Sequence, residues 1–74
     1  MIIDETEKWA VINGMLDRLM VSFYNGERLY HYNIPSLDED GCIEYIGLIQ
    51  ELSNDNKKIL SRFIHRYFRL NLLR

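Results

Sequence analysis

Between Leu19 and Ile34 the chain has little choice but to double back on itself. Leu19-Met-Val-Ser-Phe-Tyr24 and Glu27-Arg-Leu-Tyr-His-Tyr-Asn-Ile34 are rich in β-branched and aromatic residues, which suit a half-buried pleated surface. Asn25-Gly26 separates the two runs, and Asn-Gly is favoured where both central residues of a type I′ turn need positive φ. With Asn25 and Gly26 as those central residues, Val21 is expected opposite Tyr30 and Leu19 opposite Tyr32. A two-stranded ribbon is not stable alone, so helices must cover one of its faces.

The C-terminal half supplies them. Pro35 closes the ribbon, since it lacks an N–H and pushes its predecessor toward extended geometry. Ser36 is a good N-cap, and Asp38, Glu39 and Asp40 complement the positive end of a helix dipole. Cys42, Tyr45, Ile46, Leu48, Ile49 and Leu52 then wrap about half of a helix predicted over about 39–53. Ser53-Asn54-Asp55-Asn56 reads as a turn, followed by a second helix over about 56–71. Its apolar arc is Ile59, Leu60, Phe63, Ile64, Tyr67 and Phe68. The expected fold is α+β: one domain, residues 1–74, with a hairpin (about 19–34) packed on two antiparallel helices. An all-α, three-helix domain with residues 21–35 as an irregular crossover is the alternative.

The N-terminal segment, Asp4 to Met20, is predicted helical. Trp9, Ile12, Leu16 and Leu19 fall at helical spacing, Asp4 and Glu7 resemble a capping box, and Gly14 suits a left-handed cap. Asn13-Gly14 is also a turn signal, so a strand–turn–strand reading of residues 8–20 competes. The Leu-x-Val-x-Phe…Asn-Gly…Tyr-x-Tyr-x-x-Pro pattern of residues 19–35 resembles small ribbon-plus-two-helix domains of the KTSC type, which implies the same α+β arrangement. The resemblance covers less than a quarter of the chain, the downstream signature is not matched, and no family is assigned on it.

Charge is sorted along the length. Residues 1–55 hold all eleven carboxylates against Lys8, Arg18 and Arg28, a net of −8; residues 56–74 hold six cations and no acid. Such segregation sets up a field that steers association with a partner, or with the chain's own acidic half. In the last helix Lys58, Arg62, His65, Arg66 and Arg69 share an arc roughly 100° wide. That stripe is the leading candidate for partner binding, together with the hairpin tyrosines Tyr24, Tyr30 and Tyr32, since exposed Tyr and Arg are typical of interface centres. The same row of cations could track phosphates, which makes nucleic acid the competing partner.

Other chemistries lack their residues. His31, His65 and Cys42 are not paired at the short spacings of zinc ligands, so no metal or cofactor is expected. Ser61 and His65 are i,i+4 neighbours, but no acid near in sequence orients the histidine. There is no phosphate-binding Gly-rich loop, and a chain of 74 residues has little room for an enzymatic pocket, so neither an enzyme nor a small-molecule substrate is expected. No apolar run approaches the roughly twenty residues of a membrane span. One cysteine cannot form an internal disulfide, which points to the cytoplasm. The functional expectation is a small intracellular protein-binding module, an adaptor, inhibitor or regulator that occludes a partner surface, of the size of phage regulators. Because so short a chain buries only roughly 60% of its unfolded surface, a homodimer is expected, with Leu72 and Leu73 of the C-terminal helix in its interface.

Overall fold

The computed structural model describes residues 1–72. Four strands, β1 (Ile2–Ile3), β2 (Trp9–Gly14), β3 (Leu19–Tyr24) and β4 (Leu29–Ile34), are followed by α1 (Glu39–Gly47) and α2 (Asn54–Leu72). The strands form one antiparallel sheet in the order β1-β2-β3-β4. The helices pack on each other, and α2 lies against β1 and β2. The fold is α+β, and the three-helix alternative is not supported.

The N-terminal segment corrects the sequence expectation: residues 9–14 are a strand, not a helix. Trp9 and Ile12 fit helical spacing, yet over six residues the same stretch also alternates. Ala10 and Ile12 turn toward the helices, while Trp9 and Val11 turn away. A helix running on past Asn13 would also hold Gly14 in its interior, at about 1 kcal/mol. In the strand Gly14 has a use, because a Cβ there would sit 3.0 Å from the Tyr67 hydroxyl. Asn13-Gly14 is therefore neither a cap nor a turn. The turn comes later, where the Met15 N–H donates to the Arg18 carbonyl at 2.8 Å. Nor do Asp4 and Glu7 form a capping box. Asp4 Oδ1 accepts from the Thr6 N–H (2.9 Å) and the Thr6 hydroxyl (2.7 Å), building the β1–β2 turn, with Glu7 at φ 63°.

The hairpin occupies its expected span with a different register. Val21 pairs with Tyr32, Phe23 with Tyr30 and Leu19 with Ile34, two residues away from the expected pairing. The central turn residues are Gly26 and Glu27, and only Gly26 has positive φ (99°). Asn25 acts as an acceptor instead: its Oδ1 takes the N–H groups of Glu27 (2.9 Å) and Arg28 (2.8 Å). Because the side-chain period is two, a slip of two leaves every residue on its expected face. The left-handed backbone at Gly26 costs an L residue about 1–2 kcal/mol. Gly26→Ala should lower stability by about that much, while Gly47→Ala, in open space, should be neutral or stabilising by about 0.5–1 kcal/mol. Paired thermal melts of the two variants check this contrast.

The helices also differ in detail from expectation. Asp38, not Ser36, caps α1, accepting from the N–H groups of Asp40 (3.1 Å) and Gly41 (3.3 Å) through Oδ1. Ser36 supports the cap by accepting from the Asp38 N–H at 3.3 Å. The helix ends at Gly47, six residues early. Leu48 and Ile49 donate to Tyr45 and Ile46, three residues back, and the tightened turn still drops Ile49 and Leu52 into the core. Gly47 is a weak helix former, and the tight exit leaves only residues 48–53 to connect to α2. The helix α2 is capped by Ser53, whose Oγ accepts from the Asn56 N–H at 3.1 Å.

The core lies between the layers: Ala10, Leu19, Val21, Phe23 and Ile34 from the sheet meet Cys42, Ile46, Leu60, Phe63 and Ile64 from the helices. Among the described residues no layer covers the opposite face of the sheet.

Candidate functional site

The basic stripe forms as its periodicity predicts: Lys58, Arg62, His65, Arg66 and Arg69 are all exposed on α2. Its members do not share one environment. Lys58, Arg62 and His65 border a groove of about 780 Å³ between α1 and α2, with Ile43, Ile46 and Ile59 lining it and Asp55 at its margin. Arg62 and Arg66 border a second depression on the other side, against Asp4, Glu5 and Thr6 of the β1–β2 turn. Arg69 borders neither. Among the described residues Lys58, Arg62, Arg66 and Arg69 make no ion pair.

Two contacts fix the groove. Lys57 Nζ donates to the Gly47 carbonyl at 2.7 Å, supplying the cation that the last turn of α1 lacks. Farther along, His65 Nδ1 meets a Glu39 carboxylate oxygen from the first turn of α1. Glu39 is the acid that the sequence did not place beside His65, because it lies 26 residues away. With Ser61 on the groove wall, the set contains an acid, an imidazole and a hydroxyl. Ser61 makes no hydrogen bond to His65 among the described residues, and in mid-helix it has no free pair of backbone N–H groups to stabilise an oxyanion.

The groove combines an apolar floor with a cationic rim, and that combination suits an extended or helical apolar segment flanked by carboxylates. Sequence reasoning found the rim and missed the floor. Ile43 is half-buried, packing against the core on one side and bordering the groove with the rest of its surface.

The hairpin tyrosines divide between the two faces of the sheet. Tyr30 and Tyr32 turn toward the helices, with Tyr30 stacked on Phe23 (centroids 5.8 Å apart) and on Tyr32 (6.1 Å). Tyr24 is on the open face, stacked on Trp9 at 5.7 Å. Among the described residues the Tyr32 hydroxyl is shielded from solvent with no partner at good hydrogen-bond geometry, although the Glu51 carboxylate lies near it. Burial first, and the neighbouring Glu51 carboxylate second, raise its pKa above the ordinary tyrosine value.

A tyrosine whose folded pKa is raised contributes stability below its unfolded pKa near 10, and loses that contribution as pH rises through the folded value. Tyr32→Phe should therefore be neutral or stabilising by about 1 kcal/mol at pH 7, because an unsatisfied hydroxyl leaves the interior. It should also blunt the loss of stability above pH 10. Urea melts at neutral and alkaline pH check both parts; a loss above about 1 kcal/mol at pH 7 would mean the hydroxyl has a partner after all.

The remaining sequence candidates are placed apart. His31 is on the open sheet face, its Nδ1 2.9 Å from the Ser22 hydroxyl. Cys42 is fully buried with Sγ 3.5 Å from the Ser36 carbonyl, and burial pushes its thiol pKa up. Among the described residues no group of three His, Cys, Asp or Glu side chains is arranged to hold a metal. Likewise no described helix is long and apolar enough to cross a membrane. The side chains of Leu72 and Leu73, expected in self-association, lie outside the described residues. No protein-family model matches the chain, and no match was found among curated proteins or solved structures.

Proposed function

We propose that this protein is a small intracellular binding module, not an enzyme, that seats an acidic, partly apolar segment of another protein in the groove between α1 and α2. Bound there, the segment is covered and withdrawn from other contacts, which is how a chain this small regulates a larger partner. The single observation that carries the reading is the pairing of an apolar floor (the half-buried Ile43 and Ile59, over the buried Ile46) with a cationic rim (Lys58, Arg62). Amphipathic segments dock in such grooves through anchors at i, i+3, i+4 and i+7. Desolvated anchors provide affinity, and flanking charge provides orientation and encounter rate.

Nucleic acid fits the same place less well. Phosphates tracking the stripe would meet Glu39 and Asp55 along the groove and Asp4 and Glu5 beyond it. A phosphate backbone also has no use for an isoleucine floor.

Fluorescence anisotropy with a labelled amphipathic peptide, leucines on one face and glutamates beside them, tests the reading. A scrambled peptide of equal charge and a DNA duplex serve as competitors. The patterned peptide should bind at least tenfold tighter than the scrambled one, because about 1.4 kcal/mol separates a docked apolar face from charge alone. Equal binding of the two peptides, or preference for the duplex with a salt slope of about −0.9 per phosphate neutralised, would replace this reading with an electrostatic or nucleic-acid one.

A further inference from the structure

The open face of the sheet is distinct from the groove and carries the opposite chemistry. Ile3 pairs with Trp9, Trp9 with Tyr24 and Tyr24 with Leu29, so one unbroken apolar rung crosses all four strands. Ile3 is 62% exposed and Leu29 45%, and Met20 on the same face is 45% exposed. The other outward positions are Val11, Asn13, Ser22, His31 and Asn33, so no Lys, Arg, Asp or Glu stands on this face. In a chain that is 27% charged, a sheet face free of formal charge is not an ordinary solvated surface.

We infer that this face is covered by the same face of a second copy of the chain, giving a two-fold dimer of layers helix–sheet–sheet–helix. Three observations select a second copy over another occupant. First, a neutral face has no charge with which to choose a foreign partner, yet in an isologous interface it meets itself without like-charge repulsion. The helical side, with its row of unpaired cations, does not. Second, the apolar rung runs across all four strands, and another flat pleated sheet packed face to face at about 10 Å covers it along its whole length. Third, Trp9 and Tyr24, the residue types that anchor interfaces, are already stacked at the rung's centre and need no ordering on binding. A second sheet also adds the buried area that a short chain without disulfide or metal is short of.

This dimer leaves the α1–α2 groove open, so its failure and the failure of the peptide-binding reading are separate events. Sedimentation equilibrium of the full chain between about 5 and 200 µM should give twice the single-chain mass at the upper end. The emission of Trp9, the only tryptophan, should shift to the blue over the same range as its ring leaves water. Ile3→Lys/Leu29→Lys places repelling charges at both ends of the rung, at positions a monomer leaves exposed, and should weaken the dimer at least tenfold with an unchanged far-UV spectrum. The tryptophan readout needs no variant, so the test survives poor folding of the double substitution. A single-chain mass at the highest concentration with constant Trp9 emission overturns the inference. So does a dimer that Ile3→Lys/Leu29→Lys leaves intact, which would assign association to another surface.

Discussion

Phe23→Ala should cost the protein about 3–5 kcal/mol of stability, a large share of what a chain of this length has. Phe23 is fully buried at the centre of the sheet and touches both layers, with Tyr30 beside it and the Phe63 ring 6.1 Å away. Truncating a buried phenylalanine removes its transfer free energy and leaves a cavity, together about 3–5 kcal/mol. At roughly 0.05–0.15 kcal/mol per residue, a chain of this length has only about 4–11 kcal/mol to lose. Leu48→Ala is the control, because Leu48 is 72% exposed and its loss should change stability by less than about 0.5 kcal/mol. Urea denaturation followed by circular dichroism separates the two. A Phe23→Ala variant within about 1 kcal/mol of the parent would show that the core is not where the sheet meets α2.

The second large effect is expected at the groove. Lys58→Glu/Arg62→Glu should weaken binding of the acidic amphipathic peptide by about 30-fold. An exposed ion pair contributes about 0.5 kcal/mol and reversal replaces it with repulsion of similar size, about 1 kcal/mol per site, so about 2 kcal/mol is lost over both sites. Both side chains are exposed and unpaired among the described residues, so the melting temperature should stay within about 2 °C. Arg69→Glu, on the same helix but off the groove, should cost less than threefold. Anisotropy titrations of the three proteins decide the matter. If Arg69→Glu weakens binding as much as the groove pair does, the helix acts through its total charge and not through a seat between α1 and α2.

How much of this was legible in the sequence follows from the range over which each signal acts. The hairpin was legible because Leu19–Tyr24 and Leu29–Ile34 carry their β-pattern locally. A slip of two preserves parity, so Tyr30 and Tyr32 still share one face, but that face is the inner one, where they pack against the core instead of standing free for a partner as expected. The register itself was not legible, because Asn25 can either occupy a turn centre or accept two N–H groups from beside it. Strand β2 was misread for a different reason. Trp9 and Ile12 satisfy both periods over so short a span, and the element that settles the choice, α2 with Tyr67 against Gly14, lies some fifty residues downstream. Helix α1 was expected six residues too long, and of the six residues predicted on its apolar side Cys42, Ile46, Ile49 and Leu52 enter the core and Tyr45 packs against it, whereas the early exit at Gly47 turns Leu48 out to solvent, 72% exposed.

The candidate site divides along the same line. A single helix determines which cations share an arc, so Lys58, Arg62, His65, Arg66 and Arg69 could be grouped without any structure. How α1 crosses α2 is a tertiary fact. It brings Ile43 under the rim and sets Glu39 on His65, while Arg66 stays off the groove with its guanidinium over the Phe63 ring.

The most direct measurement of the groove reading is a nitrogen–proton correlation spectrum of the labelled protein titrated with the acidic amphipathic peptide. The amide signals of Ile43, Gly47, Lys58, Ile59 and Arg62 should shift together and saturate, while those of Val11, Ser22 and His31 on the open sheet face stay in place. Shifts spread evenly along α2 out to Arg69, or absent from Ile43 and Ile59, would contradict a segment seated on the isoleucine floor.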